Sequence, residues 1–99
     1  MSKEITMVRV YLTENKAHLD TLLKRLQDWE KVSGVTVFRA ISGFGESGKI
    51  HTASLMDMSL DLPVVVEFFD EPDKVEEIIS HLSKEISANH IVQWNAIVR

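Results

Sequence analysis

The sequence predicts one α+β domain of order βαββαβ, with a four-stranded antiparallel sheet and two helices on one of its faces. Four segments carry the alternation or the β-branched content of strands, and two other segments carry apolar residues at helical spacing. The length of 99 residues suits one domain, and the 44% hydrophobic content is typical of a globular chain.

The first strand and the first helix follow from the pattern of residues 5–34. Residues 5–12 alternate between two sets of side chains, with Val8, Val10 and Leu12 on one face and Met7, Arg9 and Tyr11 on the other. Thr13 is predicted to cap a helix, because its hydroxyl can accept a hydrogen bond from an unpaired backbone N–H. The apolar stripe of this helix consists of Leu19, Leu22, Leu23, Leu26 and Trp29. Ser33 and Gly34 are predicted to end it, with the glycine in the left-handed conformation.

The rest of the chain supplies the other strands and the second helix. Residues 35–42 predict the second strand and residues 62–69 the third, with Pro63 at a start position where a missing ladder donor is tolerated. The acids and the proline of residues 70–73 predict a helix start. Its apolar stripe consists of Val75, Ile78, Ile79, Leu82 and Ile86. After a break at 87–89, residues 91–98 predict the fourth strand, which completes the ferredoxin-like arrangement.

The third strand is apolar on both of its faces. Val64, Val66 and Phe68 lie on one face, and Val65 and Phe69 lie on the other. Two helices can cover only one face of the sheet, and an uncovered apolar face would promote aggregation. We therefore expect the second face to be buried against other subunits of a homo-oligomer.

Composition narrows the classes of function. The net charge of −4 argues against nucleic acid as a partner, since nucleic acid requires a concentrated basic face. The absence of cysteine excludes disulfides, thiolate catalysis and cysteine-ligated metal centres. The N-terminal residues show no secretory h-region, and no apolar run approaches the roughly 18 residues of a membrane span. We expect a cytoplasmic protein without direct membrane insertion.

A glycine-rich segment follows the second predicted strand and opens a long loop over residues 43–61. Its first ten residues are Gly43-Phe44-Gly45-Glu46-Ser47-Gly48-Lys49-Ile50-His51-Thr52. The loop exceeds the roughly 12–15 residues of ordinary structureless loops, and long loops are often functional. It also carries apolar residues at 55, 56, 58 and 60. Two interpretations remain open: a hairpin arm that packs on a neighbouring subunit, or a mobile loop that becomes ordered on a ligand or partner.

Two phosphate-binding motifs match this segment only formally. The spacing of Gly43, Gly45 and Gly48 fits a dinucleotide fingerprint, but no helix is predicted after it. The segment from Gly43 to Lys49 fits a P-loop, but the next residue is isoleucine instead of the serine or threonine that binds magnesium. Two interpretations of this segment remain. The glycine N–H groups and Lys49 form an anion-binding nest, or Lys49 is simply a solvated cation of the loop.

His51 and the pair Arg39 and Glu67 are the other polar candidates. For His51 a structural hydrogen bond is as plausible as a role as a ligand contact, pH switch or acid/base group. No histidine pair has metal-binding i, i+4 spacing, so no metal site is expected. Glu67 lies in an apolar strand, where an unpaired carboxylate is costly. We expect a structural ion pair with Arg39, with ligand anchoring as the alternative role of that pair.

The loop resembles the base of the T-loop in the PII signalling superfamily, where a Gly-Phe-Gly is followed by a glycine and a His-Thr. The matching residues are Gly43-Phe44-Gly45 and His51-Thr52. The resemblance is closer to the short PII-like DUF190 family and extends over nearly the whole chain. The elements that carry it are Thr36-Val37-Phe38-Arg39, Gly43-x-Gly45-x-x-Gly48-x-Ile50-His51, and Leu62-Pro63-Val64-Val65-Val66-Glu67 followed by Asp70.

This resemblance implies a homotrimer of ferredoxin-like subunits with sheets facing inward. It implies no cofactor, but a small effector, typically an adenine nucleotide, in clefts between subunits near the loop. It also implies an unknown partner protein, with membrane-associated proteins among the candidates. The ligand-binding residues expected on this basis are Arg39, Gly43, Phe44, Gly45, Gly48, Lys49, His51 and Thr52.

Three hypotheses for the function follow. The first is a PII-like regulatory protein that senses a small anion and contacts a partner, and it is not an enzyme. The second is a small oligomeric enzyme with His51 as acid/base, which rests on fold analogy alone. The third is an assembly module without a ligand, in which the apolar loop residues only build the oligomer.

Overall fold

The computed structural model describes residues 2–12, 16–43, 51–52 and 63–99. At residues 16–18, 51–52 and 88 it describes the backbone only. The elements in chain order are β1 (Lys3–Leu12), α1 (Lys16–Lys24), a π-helical turn (Arg25–Trp29), β2 (Val35–Arg39), β3 (Ser42–Gly43), β4 (His51–Thr52), β5 (Val64–Asp70), α2 (Pro72–Leu82), a 3₁₀ turn (Ala88–His90) and β6 (Ile91–Val98). The predicted βαββαβ order is confirmed, with the short β3–β4 ladder as an addition between β2 and β5.

The main sheet is antiparallel and has the strand order β2-β5-β1-β6. β1 and β5 are the central strands, and they pair from Thr6 opposite Asp70 to Leu12 opposite Val64. β2 lies outside β5, and β6 lies outside β1. The arrangement matches the predicted four-stranded sheet with two helices.

The hydrophobic core lies between one face of this sheet and the helices. The alternation predicted for β1 and β5 is confirmed, because every second residue of β5 from Val64 is buried while the residues between them are partly exposed. The buried core consists of Val8, Val10, Leu12, Leu22, Leu26, Val64, Val66, Phe68, Val75, Ile78 and Leu82. Each such side chain, when fully buried, contributes about 1.5–3 kcal/mol to stability.

The second face of the sheet is called the open face from here on. It includes Met7, Arg9 and Tyr11 of β1, Thr36 and Phe38 of β2, Val65, Glu67 and Phe69 of β5, and Val92 and Trp94 of β6. These residues are exposed or only partly buried within the chain, as the sequence predicted for the face that the helices leave uncovered.

The first helix ends differently from the prediction. Its last part is a π-helical turn, in which the N–H of Glu30 donates to the carbonyl of Arg25 at 2.9 Å. A π turn holds more residues than an α turn, so Glu30 takes the inward position after Leu26. Trp29, predicted in the apolar stripe, is therefore 81% exposed. The left-handed residue is Lys31, with φ of 53°, and not Gly34.

Replacing Lys31 by glycine is expected to stabilise the protein. A left-handed conformation costs a residue with a Cβ roughly 1–2 kcal/mol, and glycine avoids this cost while losing some chain entropy on folding. We expect Lys31→Gly to raise the free energy of unfolding by about 0.5–1 kcal/mol in urea titrations. The matched control is Lys24→Gly in the helix itself, which should lower it by about 1 kcal/mol. A loss of stability in Lys31→Gly would contradict the left-handed assignment.

The second helix begins as predicted. Pro72 occupies the first helical position, where its missing N–H has no intrahelical partner to lose. Asp73 lies in the first turn, near the positive end of the helix dipole. Asp70 precedes the helix, and its Oδ1 accepts a hydrogen bond from the N–H of Glu71 at 2.8 Å.

Other predicted boundaries change or lie outside the described residues. The second strand ends at Arg39 and not at residue 42, because residues 42–43 pair with residues 51–52 in a separate ladder. The third strand runs over 64–70 in place of 62–69. Thr13 and most of the loop, including Phe44, Gly45, Gly48 and Lys49, lie outside the described part of the chain.

Candidate functional site

The base of the long loop is a two-stranded antiparallel ladder. Ser42 pairs with Thr52, and Gly43 pairs with His51. Three of the predicted site residues, Gly43, His51 and Thr52, are therefore neighbours through their backbones. The glycine that opens the loop and the histidine near its middle are held directly opposite each other.

Gly43 also lies tightly against Pro63, where the chain returns to the main sheet. A Cβ at position 43 would lie 3.1 Å from Cγ of Pro63, which is closer than ordinary side-chain contacts. The N–H of Ala40 donates to the carbonyl of Pro63 at 2.9 Å, and this hydrogen bond joins the segment that enters the loop to the segment that leaves it. A glycine at this position permits the close approach because it has no side chain.

Arg39 is the last residue of β2, just before this loop base, and it is exposed. It pairs with Val64, and cross-strand partners point to the same face of a sheet. Arg39 therefore lies on the helix-covered side of the sheet, at its end, whereas Glu67 lies on the open face opposite Thr36. Because the two side chains lie on opposite faces of the sheet, the predicted ion pair between Arg39 and Glu67 is not formed.

The partner of Glu67 in the structure is Arg9, its direct neighbour on β1. Nε of Arg9 donates to Oε1 of Glu67 at 2.8 Å. The guanidinium carbon lies 5.8 Å from the ring centre of Phe38 and 5.5 Å from that of Trp94. The hydrogen bond to Glu67, and to a lesser extent one to Tyr11, raises the pKa of Arg9 above its ordinary value, so the side chain stays charged. A cation that contacts two aromatic rings and a carboxylate thus lies in the middle of the open face.

The alternation of β1 places Arg9 on the face with Met7 and Tyr11, but it predicts no role for Arg9. The signal was present in the alternation, because Arg9 and Glu67 both fall among the residues that face away from the helices. The prediction of Arg39 as the partner of Glu67 assumes that strands adjacent in sequence pair in the sheet. In the sheet, β5 lies between β1 and β2, and Glu67 therefore has a neighbour on each side.

A cavity of about 550 Å³ lies at the end of the sheet where the loop base is also found. Its lining residues are Leu12, Thr21, Leu22, Arg25, Glu85, Ile86, Ser87 and His90. Leu12 pairs with Val64, the residue after Pro63, which places the cavity and the loop base at the same end of the central strands. The volume falls in the range of small-molecule sites.

A charged network lies beside this cavity. Glu30 is almost buried, and its side chain is 8% exposed. Its Oε2 lies 3.0 Å from Nδ1 of His81 and 3.4 Å from Nε of Arg25. Nη1 of Arg25 lies 3.4 Å from Oε1 of Glu85 at the cavity. The contact of Glu30 with His81 joins the π-helical turn to the second helix. Arg25 and Glu85, which both line the cavity, are paired with each other and so present no net charge to it.

Metal-binding clusters and membrane-spanning helices are both absent from the described residues. No group of three or more His, Cys, Asp or Glu residues in ranges 2–12, 16–43, 51–52 and 63–99 is placed to hold a metal ion. None of the helices seen in those ranges has the length and apolar character needed to cross a membrane.

Comparison with known proteins finds a matching family model and similar sequences. The sequence model of the DUF190 family, described as "Uncharacterized ACR", matches residues 5–98. The chain belongs to the DUF190 family. A UPF0166 protein of Aquifex aeolicus is 36% identical over 77 residues, which cover 78% of this chain and 69% of that protein. The resemblance inferred from the glycine segment is thus confirmed.

Solved structures with the same fold include PII-like proteins. CPII of Thiomonas intermedia, a nitrogen regulatory PII-like protein bound to ADP, AMP and bicarbonate, superposes with a TM-score of 0.70 at 18% identity, covering 99% of this chain and 89% of CPII. A putative PII-like signalling protein of Thermus thermophilus gives a TM-score of 0.61 at 14% identity, covering 98% of this chain and 89% of that protein. At these identities the likeness establishes a PII-like, ferredoxin-like fold for this DUF190 protein.

Proposed function

We propose that this DUF190 protein is a cytoplasmic PII-like regulatory protein. In this proposal three chains associate through their open faces and bind a small anionic effector, an adenine nucleotide, in clefts between subunits near the 43–61 loop. The loop then contacts a partner protein, and the effector shifts it between conformations that it already samples. The proposal includes no reaction and no metal.

The observation that carries the proposal is the shared fold with CPII, whose structure holds ADP, AMP and bicarbonate. Fold alone does not fix function, so the proposal also draws on residues of this chain. The ladder that pairs Gly43 with His51 brings backbone groups of the glycine segment together at one end of the sheet. Arg39 is exposed at the same end, where it could contact a phosphate.

The open face supports the assembly part of the proposal. Tyr11, Phe38, Val92 and Trp94 are among the exposed large hydrophobic residues of the chain, and all of them lie on this face. A contiguous apolar surface of this kind usually marks an interface. A cyclic homo-oligomer would bury the face in every copy.

Titration of ADP by isothermal calorimetry tests the effector assignment. We expect saturable binding to the natural chain. Arg39→Ala and Lys49→Ala should each weaken it at least about tenfold, because a hydrogen bond to a charged group contributes about 1.5–3 kcal/mol. The double variant should show no measurable binding while its circular dichroism and mass in solution stay unchanged.

Lys3→Ala is the matched control for this titration. Lys3 is exposed at the opposite end of β1 from the loop base, so its loss removes one positive charge without touching the proposed site. Its affinity for ADP should equal that of the natural chain. Absence of a binding heat for the natural chain would contradict the effector proposal, and equal affinities in all variants would contradict the roles of Arg39 and Lys49.

No observation on the described residues favours the enzyme hypothesis built on His51. The described backbone places His51 opposite Gly43, which is consistent with a structural position at the loop base as well as with a ligand contact. The PII-like family assignment also favours regulation over catalysis.

A further inference from the structure

The open face has an ordered arrangement of rows that run across the strands. The middle row contains Thr36, Glu67, Arg9 and Val92, one residue from each strand. The row on one side contains Phe38, Val65 and Tyr11, and the row on the other side contains Phe69, Met7 and Trp94. The two charged residues of these rows are neighbours and lie between rows of apolar and aromatic side chains.

The Arg9–Glu67 pair is formed within one chain. The side chain of Glu67 is 19% exposed and that of Arg9 is 40% exposed. The contacts of the guanidinium with Phe38 and Trp94 add to its ion pair, so its charge is already matched inside the chain. The three rows therefore carry one positive and one negative charge in direct contact and present no net charge outward.

This pattern restricts what could cover the face. A nucleic acid or a charged peptide would find no unmatched charge to bind. An uncharged surface with aromatic and aliphatic side chains would fit the open face. Removing the two surfaces from water would then leave no charge without a partner. The chain itself offers such a surface, because every copy carries the same neutral face with exposed Phe38 and Trp94.

We propose that the Arg9–Glu67 pair acts as a preformed neutral unit when the open face packs against other copies of the chain in the proposed assembly. This inference rests on the proposed assembly and adds the element that makes burial of the face possible. Either residue alone would be a buried charge without a partner, whereas the two together are tolerated.

A double-mutant cycle followed by sedimentation equilibrium tests the proposal. Glu67→Met and Arg9→Met each leave one charge unmatched, so each should raise the dissociation constant of the assembly at least about a hundredfold. The double variant Arg9→Met/Glu67→Met replaces both by unbranched apolar side chains and should return to within about tenfold of the natural chain. Circular dichroism of the dissociated single variants should show the natural secondary structure.

Glu71→Gln is the control variant, since Glu71 accepts from Lys3 at 2.7 Å in a pair with side chains 60% and 61% exposed. It should leave the dissociation constant unchanged, as exposed ion pairs contribute little. A double variant as weak as the single ones would overturn the neutral-unit proposal, because each charge would then contact the neighbouring chain. Single variants that associate as tightly as the natural chain would overturn it as well. A natural chain that is monomeric at every concentration would instead contradict the proposed assembly itself.

Discussion

Trp94→Ala is expected to raise the dissociation constant of the assembly about 30-fold to 1,000-fold, or about 2–4 kcal/mol. Trp94 lies on the open face, is 40% exposed within the chain and contacts the guanidinium of Arg9. Tryptophans that become buried at the centre of an interface are commonly its largest energetic contributors. Analytical ultracentrifugation over a dilution series measures the effect.

Trp29→Ala is the matched control, because the chain has two tryptophans and they lie in different environments. Trp29 ends the π-helical turn on the helix side of the molecule and is 81% exposed. Its removal should leave the dissociation constant unchanged. An equal effect of both substitutions, or no effect of Trp94→Ala, would contradict the open face as the site of assembly.

Phe68→Ala is expected to lower the free energy of unfolding by about 3–5 kcal/mol. Phe68 is 1% exposed and lies in the core between β5 and the helices. The substitution removes the buried ring and leaves a cavity that the core can fill only in part. Because the whole stability of a domain is about 5–15 kcal/mol, this is a large share of it. Urea unfolding at one fixed chain concentration measures the change.

Phe69→Ala separates folding from assembly, because Phe69 is the next residue and points to the open face. We expect it to weaken the association of chains more than the folding of each chain. Its unfolding midpoint should therefore depend more strongly on chain concentration than that of Phe68→Ala. A loss of folding stability equal to that of Phe68→Ala would contradict the assignment of the two rings to opposite faces.

Much of the fold could be predicted because burial on one face imposes a period of two on strands. The alternation in β1 and β5 therefore marked both the core and the open face from the sequence alone. The π-helical turn could not be predicted, since one inserted residue shifts the phase of the helix without a signal in composition. The exposure of Trp29 and the inward position of Glu30 both follow from that shift.

The candidate site could be predicted only in part. Periodicity does not show that residues 43 and 51 pair across a loop, so the ladder between Gly43 and His51 was not foreseen. Predicting the partner of Glu67 requires the strand order as well as the alternation. Arg9 and Arg39 both lie on strands beside β5, but only Arg9 shares a face with Glu67.

Native mass spectrometry of the natural chain with ADP tests the central claim most directly. The account predicts one species with the mass of three chains, each of 11.3 kDa, and added mass from bound ADP. It also predicts that bound ADP disappears in the Arg39→Ala/Lys49→Ala variant while the mass of three chains remains. A monomer, or a trimer that carries no ADP even at concentrations of roughly 100 times a typical micromolar dissociation constant, would contradict the claim.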